Sequence, residues 1–224
     1  MEAASIVTEG LGYRYGKPVL REFGLVVNPG SAVFLLGRNG AGKSTVLSLL
    51  AGVRIPHEGH VRIVGRDPRR ASARCRLFLL REESAPLRHL SALETLRFHR
   101  ALYGRPAESK AGLLAVLGRV GLDRVARARV STFSKGMVRR LELACILAVD
   151  PEVWLLDEPQ SGLDPAGIRL LREICTEARG RGRTLVVTSH SVTDAIALAD
   201  RIMILREGRT VFDGGTRALL DHVG

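Results

Sequence analysis

The sequence predicts an α/β fold with a mostly parallel central sheet, and two patterns support this prediction. Three short apolar runs lack polar alternation, as is typical of strands covered on both faces: residues 32–36, 153–156 and 184–188. A helix is expected after each run, and repeated strand-then-helix order is typical of this fold class. A chain of 224 residues, 46% of them hydrophobic, is long enough to bury the core that such a fold needs.

The helices that follow these strands are expected at residues 43–51, 165–178 and 191–199. Gly52 closes the first helix, and Ser191 with Asp194 forms an S-x-x-D cap at the start of the third. Two further stretches, 5–27 and 201–212, resemble short strands with glycine turns. They predict an antiparallel β flank beside the central sheet.

A helical subdomain is expected to be inserted in the α/β core. Leucine and alanine recur at helical spacing from about residue 91 to residue 149, and runs of β-branched residues are scarce there. We therefore interpret the chain as one domain. Residues 1–82 and 150–224 form its α/β core with the β flank, and residues 83–149 form the helical subdomain.

Composition limits where the protein works. The apolar runs are far shorter than the roughly 20 residues of a membrane-spanning helix. The N-terminus lacks the charged and apolar regions of a secretory signal. Cys75, Cys145 and Cys175 have no metal-ligand spacing, so they fit a reducing compartment and core packing. We expect a cytoplasmic protein, and any membrane-spanning part must belong to another chain.

The net charge of +11 comes mostly from arginine spread along the chain. Such a charge can indicate nucleic acid or anionic lipid partners. The densest basic patch, however, has almost no interleaved aromatic residues for base stacking. We therefore expect a solvated face and no nucleic acid partner. The patch consists of Arg66, Arg69, Arg70, Arg74, Arg76 and Arg81.

A glycine-rich loop after the first apolar run fits the phosphate-binding pattern GxxxxGK[ST]. Its glycines let backbone N–H groups turn toward phosphates, Lys43 can reach them, and Ser44 can bind Mg²⁺. The alternative is a glycine-rich turn with an exposed lysine, but the flanking strand and helix favour a P-loop NTPase core that binds ATP. The expected ATP contacts of the loop are Gly37, Asn39, Gly40, Ala41, Gly42, Lys43, Ser44 and Thr45.

Two adjacent carboxylates end the second apolar strand. Asp157 is expected to bind Mg²⁺ and Glu158 to orient the attacking water. A strand-end Asp-Glu pair alone is more often a solvated turn. A phosphate-binding loop in the same chain favours the catalytic interpretation.

These motifs and their order resemble the nucleotide-binding subunit of an ABC transporter along essentially the whole chain. The sequence S-K-G-M at 134–137 resembles the signature motif of that family, and S-G-L-D at 161–164 resembles its D-loop. His190 follows a strand, as the switch histidine of the family does. Tyr15 stands where the family stacks an aromatic ring on adenine.

The resemblance implies a site shared between two subunits. In the family, the signature motif of one subunit closes on the phosphate loop of its partner, so Ser134 and Gly136 would contact the γ-phosphate in trans. Asp164 would link the two sites, and His190 would contact the γ-phosphate while holding water and Glu158 in position. One chain alone then holds two half-sites and no complete one.

Each of these residues also has a plainer interpretation. Ser134 and Asp164 can be helix caps, and His190 can be a core histidine. Tyr15, like its neighbour Tyr13, can be a packing aromatic.

The chain departs from the family pattern in the segment before the helical subdomain. Glu82 falls where the family usually has a glutamine that touches Mg²⁺ and senses the membrane partner. A carboxylate is also a hard oxygen ligand, so Glu82 is still expected to contact the metal. Lys135, Met137 and Gln160 also replace commoner residues. The S-K-G-M form resembles exporter-type subunits, including those linked to antibiotic or peptide resistance.

The resemblance therefore implies an ATPase that pairs with a second nucleotide-binding subunit, either a copy or a paralogue. It would drive a transmembrane permease at the cytoplasmic face of the cell membrane. Two alternatives remain: an ATPase of the same superfamily serving DNA repair, chromosome structure or the ribosome, and a regulatory module that holds nucleotide without hydrolysis. The first usually carries long coiled coils or paired ATPase domains, and this sequence has neither.

Overall fold

The computed structural model describes residues 4–83 and 86–223 of the chain, the last two by their backbone alone. Residues 1–3, part of the stretch used to judge the secretory signal, lie outside this description. The chain divides into two compact units: Met1–Arg81, Glu152–Pro159 and Cys175–Gly224 form the first, and Glu82–Pro151 and Gln160–Ile174 the second. The boundaries of the helical subdomain, expected at 82/83 and 149/150, stay a prediction.

Two β-sheets make up the frame of the first unit. Its strands, within the described residues, are β1 (Ile6–Tyr15), β2 (Lys17–Val27), β3 (Ala32–Leu36), β4 (Glu58–Ile63), β5 (Leu77–Leu80), β6 (Val153–Asp157), β7 (Thr184–Ser189), β8 (Arg201–Arg206) and β9 (Arg209–Gly214). One sheet has the order β5-β6-β7-β3-β8-β9, and the other has the order β2-β1-β4. The three apolar runs are thus confirmed as the adjacent strands β3, β6 and β7.

Helices fill the connections between these strands. In the described residues they are α1 (Lys43–Leu50), α2 (Ala71–Arg74), α3 (Ala92–Leu102), α4 (Lys110–Arg119), α5 (Lys135–Val149), α6 (Pro165–Gly180), α7 (Val192–Leu198) and α8 (Thr216–Val223). The three helices predicted after apolar strands are confirmed as α1, α6 and α7. The Ser191 hydroxyl accepts a hydrogen bond from Asp194 N–H at 3.3 Å, which confirms the predicted cap of α7.

The central sheet is parallel across β5, β6, β7, β3 and β8, while β9 pairs antiparallel with β8. The strands β3, β6 and β7 are buried along their whole length, as is typical of parallel strands covered on both faces. The β1–β2 and β8–β9 pairs are antiparallel, so the predicted β flank is also confirmed. The helix α1 packs against strands of both sheets and joins them in one apolar core.

The second unit contains the helices α3, α4 and α5, which pack against one another around buried leucines. Ser91 and Glu94 form a reciprocal capping box at the start of α3. The structure thus has helices where the sequence predicted them between residues 91 and 149. No helix within 4–83 and 86–223 has both the length and the hydropathy that a membrane span requires.

The cysteines follow the expected packing only in part. Cys145 and Cys175 are buried, and burial raises the pKa of the Cys175 thiol to about 12. Cys75 is exposed, so the expectation of core packing is wrong for this residue. It lies at the C-terminal end of the short helix α2, outside the core.

Replacing Thr8 by valine tests the hydrogen bonding of the core. Thr8 is 2% exposed, and its hydroxyl accepts the Leu25 N–H at 2.8 Å beside a register shift between β1 and β2. Thr8→Val keeps the side-chain shape but leaves that N–H without its acceptor. We expect the free energy of unfolding in a urea titration to fall by about 1–3 kcal/mol. Thr8→Ser keeps the hydroxyl and should lose less; an equal loss in both variants would contradict this account.

Candidate active site

Two glycines of the loop that follows β3, Gly37 and Gly42, have positive φ and leave little room for a Cβ atom. Gly42 lies at the N-cap of α1 with φ 107°. A Cβ atom there would lie 2.9 Å from the side chain of Leu20. A Cβ atom at Gly37 would lie 2.4 Å from the Leu205 carbonyl oxygen. The loop therefore turns tightly between strand and helix, as a phosphate-binding loop must.

The members of this loop differ in exposure. Asn39, Gly40 and Ser44 are exposed, Gly37 and Thr45 are half-buried, and Ala41 and Gly42 are buried. The helix α1 begins at Lys43, so the first N–H groups of the helix lie beside the loop. Such N–H groups have no partner within the helix and favour an anion.

Lys43 is a buried cation at the start of α1. Only 6% of the residue is exposed, and its ammonium donates a hydrogen bond to the Gly37 carbonyl at 2.6 Å. A second carbonyl, that of Arg38, lies at 3.4 Å, and Glu158 Oε1 lies 3.8 Å from the same nitrogen. The alternative of an exposed lysine in a turn is therefore wrong.

Asp157 ends β6 beside the phosphate-binding loop. Its Oδ1 accepts hydrogen bonds from the hydroxyls of Ser44 at 3.2 Å and Thr188 at 2.6 Å. The residue is 8% exposed, so the alternative of a solvated turn is wrong for Asp157. The pairing of β6 with β7 places Asp157 opposite Thr188, which explains the shorter of the two hydrogen bonds.

Glu158 follows in a backbone conformation that few residues adopt. Its φ is 44°, in the left-handed region, which costs about 1–3 kcal/mol for a residue other than glycine. Its backbone N–H donates to the Thr188 hydroxyl at 3.0 Å. The residue is 6% exposed, so this carboxylate too is buried at the end of β6.

His190 lies directly after β7 and contacts Glu158. Its Nδ1 is 2.9 Å from Glu158 Oε2, and a carboxylate can only accept, so Nδ1–H is the donor. The His190 side chain is 74% exposed, which rules out the alternative of a core histidine. Glu158 thus lies between the Lys43 ammonium and the His190 ring.

The donor set beside Lys43 fits Mg²⁺. Ser44 Oγ and Asp157 Oδ1 are hard oxygen ligands 3.2 Å apart. The described residues contain no group of three His, Cys, Asp or Glu side chains that would hold a metal by themselves. Mg²⁺ usually takes only one or two protein ligands and completes its coordination shell with phosphate and water oxygens, so this donor set is sufficient.

Tyr15 lies at the end of β1 and is 51% exposed. Arg54 Cζ lies 4.5 Å from the centre of its ring, and Nη1 of the same arginine donates to the Tyr13 hydroxyl at 3.1 Å. Tyr13 and Tyr15 meet edge to face with centroids 5.0 Å apart. Both interpretations of Tyr15 therefore remain, because a half-exposed ring can pack locally and still offer area to a base. Sequence reasoning missed Arg54.

The signature residues lie in the second unit. Ser134 is the N-cap of α5, and its hydroxyl accepts the Met137 N–H at 3.2 Å. Ser134 is exposed and Gly136 half-buried, so the start of α5 is accessible to an anion in this unit. The plain capping role is confirmed, and the contact in trans stays a prediction.

Asp164 and Glu82 also belong to the second unit. Asp164 Oδ1 accepts the Gly167 N–H and an Arg140 N–H, both at 2.8 Å, and these bonds lower the pKa of the exposed carboxyl. It therefore caps the start of α6, as the plainer interpretation expected. Glu82 is exposed, and its backbone carbonyl accepts from Arg139 at 2.8 Å. The proposed metal contact of its side chain stays a prediction.

Comparison with known proteins identifies the family of this chain. The family model described as ABC transporter matches residues 20–161. A Nod factor export ATP-binding protein I of Paraburkholderia xenovorans is 36% identical over 98% of this chain and 74% of its own length. A fluoroquinolones export ATP-binding protein of Mycobacterium tuberculosis is 36% identical over 92% of this chain and 69% of its own length.

A solved structure of an ABC transporter subunit has the same fold as this chain. The structure of an ATP-binding subunit of an ABC transporter superposes with a TM-score of 0.89 at 27% identity and covers 98% of this chain and 93% of that one. The chain therefore belongs to the ABC transporter family, as an ATP-binding subunit whose ATPase activity is coupled to transport.

Proposed function

We propose that this subunit hydrolyses MgATP between two nucleotide-binding subunits and drives export through a separate permease at the cytoplasmic face of the cell membrane. The observation that carries the proposal is the cluster at the ends of β3, β6 and β7. There Lys43 lies 3.8 Å from Glu158, Ser44 lies 3.2 Å from Asp157, and His190 lies 2.9 Å from Glu158.

The phosphates of ATP bind at the loop from Gly37 to Thr45. The start of α1 supplies N–H donors, and the Lys43 ammonium turns from the Gly37 carbonyl to a phosphate oxygen. Tyr15 stacks on the adenine with its exposed face. Because Lys43 is buried, its attraction to a phosphate is weakly screened by water.

Ser44 and Asp157 hold Mg²⁺, and Glu82 is proposed as a further ligand. When bound, the cation neutralises charge on the phosphates and acts as a Lewis acid at the γ-phosphoryl group. Asp157 contributes its carboxylate, which the hydroxyl of Thr188 orients. The buried position of Asp157 limits competition from solvent.

Glu158 orients and polarises the attacking water, and His190 keeps the Glu158 carboxylate in place. The Nδ1–H of His190 donates to Glu158 Oε2 at 2.9 Å, and Oε1 lies 3.8 Å from the Lys43 ammonium, on the side where the phosphate and the water are proposed to bind. His190 then contacts the γ-phosphate through the rest of its exposed ring. The site accelerates hydrolysis by positioning the reactants and stabilising the charge of the transition state, and no covalent intermediate is needed.

A second subunit, a copy or a paralogue, completes the site. Ser134 and Gly136 at the N-terminus of α5 contact the γ-phosphate bound to the partner, with the helix dipole favouring the negative charge. Asp164 links the two sites. Closure of the pair on two ATP molecules, and its reopening after hydrolysis, would move the permease.

Export is the proposed direction of transport. The S-K-G-M motif resembles exporter-type subunits, and the two relatives named above are both called export ATP-binding proteins.

Changing Glu158 to glutamine tests hydrolysis. The amide keeps the size of the side chain but cannot polarise water as a carboxylate does. We expect the rate of phosphate release to fall by about 100-fold or more, while ATP binding is retained. Phosphate release and nucleotide affinity are measured at high protein concentration or with the copurified permease.

The control for this prediction is Glu152→Gln. Glu152 precedes β6 at its other end and pairs with Arg76 at 2.9 Å on a partly exposed surface. This variant should hydrolyse ATP at the wild-type rate, because exposed ion pairs stabilise little. Equal, negligible rates in wild type and Glu158→Gln would favour a module that holds nucleotide without hydrolysing it.

Changing Ser134 to aspartate tests the proposed contact in trans. Aspartate caps a helix as well as serine does, but its charge repels a γ-phosphate. We expect the hydrolysis rate to fall by about 100-fold, with ATP affinity of the isolated subunit unchanged. Ser109→Asp, at the equivalent cap of α4, is the matched control and should keep the wild-type rate. Wild-type hydrolysis in Ser134→Asp would refute the contact.

A further inference from the structure

We propose that Thr188 is a positioning residue for ATP hydrolysis, because its one hydroxyl orients both the proposed metal ligand and the proposed catalytic glutamate. The inference rests on the proposed function, since it assigns Thr188 a part in that same site. Neither the phosphate-binding pattern nor the Asp-Glu pair includes this residue, which the sequence presents only as a strand threonine.

The Thr188 hydroxyl donates one hydrogen bond and accepts another. Its O–H donates to Asp157 Oδ1 at 2.6 Å, and its oxygen accepts the Glu158 N–H at 3.0 Å. A hydroxyl has a single hydrogen to donate, so the bond to Asp157 also fixes the direction in which the oxygen accepts. Asp157 and Glu158 are therefore both hydrogen-bonded to the same atom, the hydroxyl oxygen of Thr188.

The position of Thr188 makes these bonds rigid. The residue is fully buried, and β7 lies between β3 and β6 in the sheet. Asp157 is its direct partner in the parallel register. Since threonine is β-branched and has few rotamers in a strand, the hydroxyl is held in place before ATP binds.

The bond to Glu158 has a particular consequence for the backbone. Glu158 has a φ of 44°, which a residue with a side chain rarely adopts. Its N–H is held by Thr188 at 3.0 Å, and its Oε2 is held by His190 at 2.9 Å. Without the hydroxyl, the peptide before Glu158 loses a hydrogen bond that opposes its relaxation, and we expect the carboxylate to shift relative to the water that it orients.

The bond to Asp157 has a consequence for the metal. Ser44 also donates to Asp157 Oδ1, at 3.2 Å, but Ser44 is itself a proposed metal ligand. Thr188 is not a proposed metal ligand. Its hydroxyl can therefore keep orienting the Asp157 carboxylate when Ser44 binds the cation. Hydrogen bonds of this kind to a metal ligand commonly change metal affinity by about 10–100-fold.

The test compares Thr188→Val with Thr188→Ser in the full chain. Valine keeps the shape and removes the hydroxyl, while serine keeps the hydroxyl. For valine we expect kcat to fall by about 10–100-fold with KM for ATP within about twofold of wild type. We also expect the affinity for Mn²⁺, titrated by electron paramagnetic resonance with a non-hydrolysable ATP analogue, to fall by about tenfold. Serine should restore both values to within about threefold of wild type.

The matched control is Thr8→Val. It makes the same change at another buried threonine of the first unit, whose hydroxyl accepts a backbone N–H of β2. This variant should lose stability but keep kcat and Mn²⁺ affinity. Thermal unfolding of every variant is measured as well, to check that each is folded at the assay temperature.

Three outcomes would overturn the proposal. They are a wild-type kcat and Mn²⁺ affinity in Thr188→Val, a loss that serine does not restore, and an equal loss in Thr8→Val. Failure of the proposed function is distinguishable, because then wild type itself would show no hydrolysis that depends on Glu158. In that case the Mn²⁺ titration still tests whether Thr188 orients Asp157.

Discussion

The parallel pairing of β3, β7 and β6 is the constraint on which the rest of the site depends. Parallel strands end at the same edge, so the residues that follow them meet there although they are far apart in the chain. Leu36, at the end of β3, pairs with Ser189, and Asp157, at the end of β6, pairs with Thr188. A shift of one register position would separate the phosphate-binding loop from both carboxylates.

Burial of the polar groups at this edge of the sheet costs stability, but it also strengthens their electrostatic interactions. Lys43, Asp157, Glu158 and Thr188 are each less than a tenth exposed, and buried polar groups need partners to be tolerated. Each of them has one: Lys43 donates to a loop carbonyl, and Thr188 joins Asp157 to Glu158. The same burial lowers the local dielectric, so these charges would act on a phosphate more strongly than exposed ones would.

Much of the fold and of the site follows from local patterns. The phosphate-binding loop and the Asp-Glu pair are contiguous motifs, and β3, β6 and β7 are short apolar runs of the kind typical of buried strands. β4 was missed because its first residues are polar and exposed and do not alternate. Thr188 and Arg54 were missed for another reason: each acts through strand pairing or packing between distant segments, and no spacing in the sequence encodes that proximity.

In the proposed function, one subunit alone holds no complete site, and ATP joins two subunits. Sedimentation velocity of Glu158→Gln with MgATP tests it most directly, because slow hydrolysis keeps the nucleotide intact. We predict a dimer with MgATP, a monomer without nucleotide, and a monomer with MgATP when Ser134→Asp is added. A Glu158→Gln protein that stays monomeric in saturating MgATP, alone and with its natural partner subunit, would contradict the account.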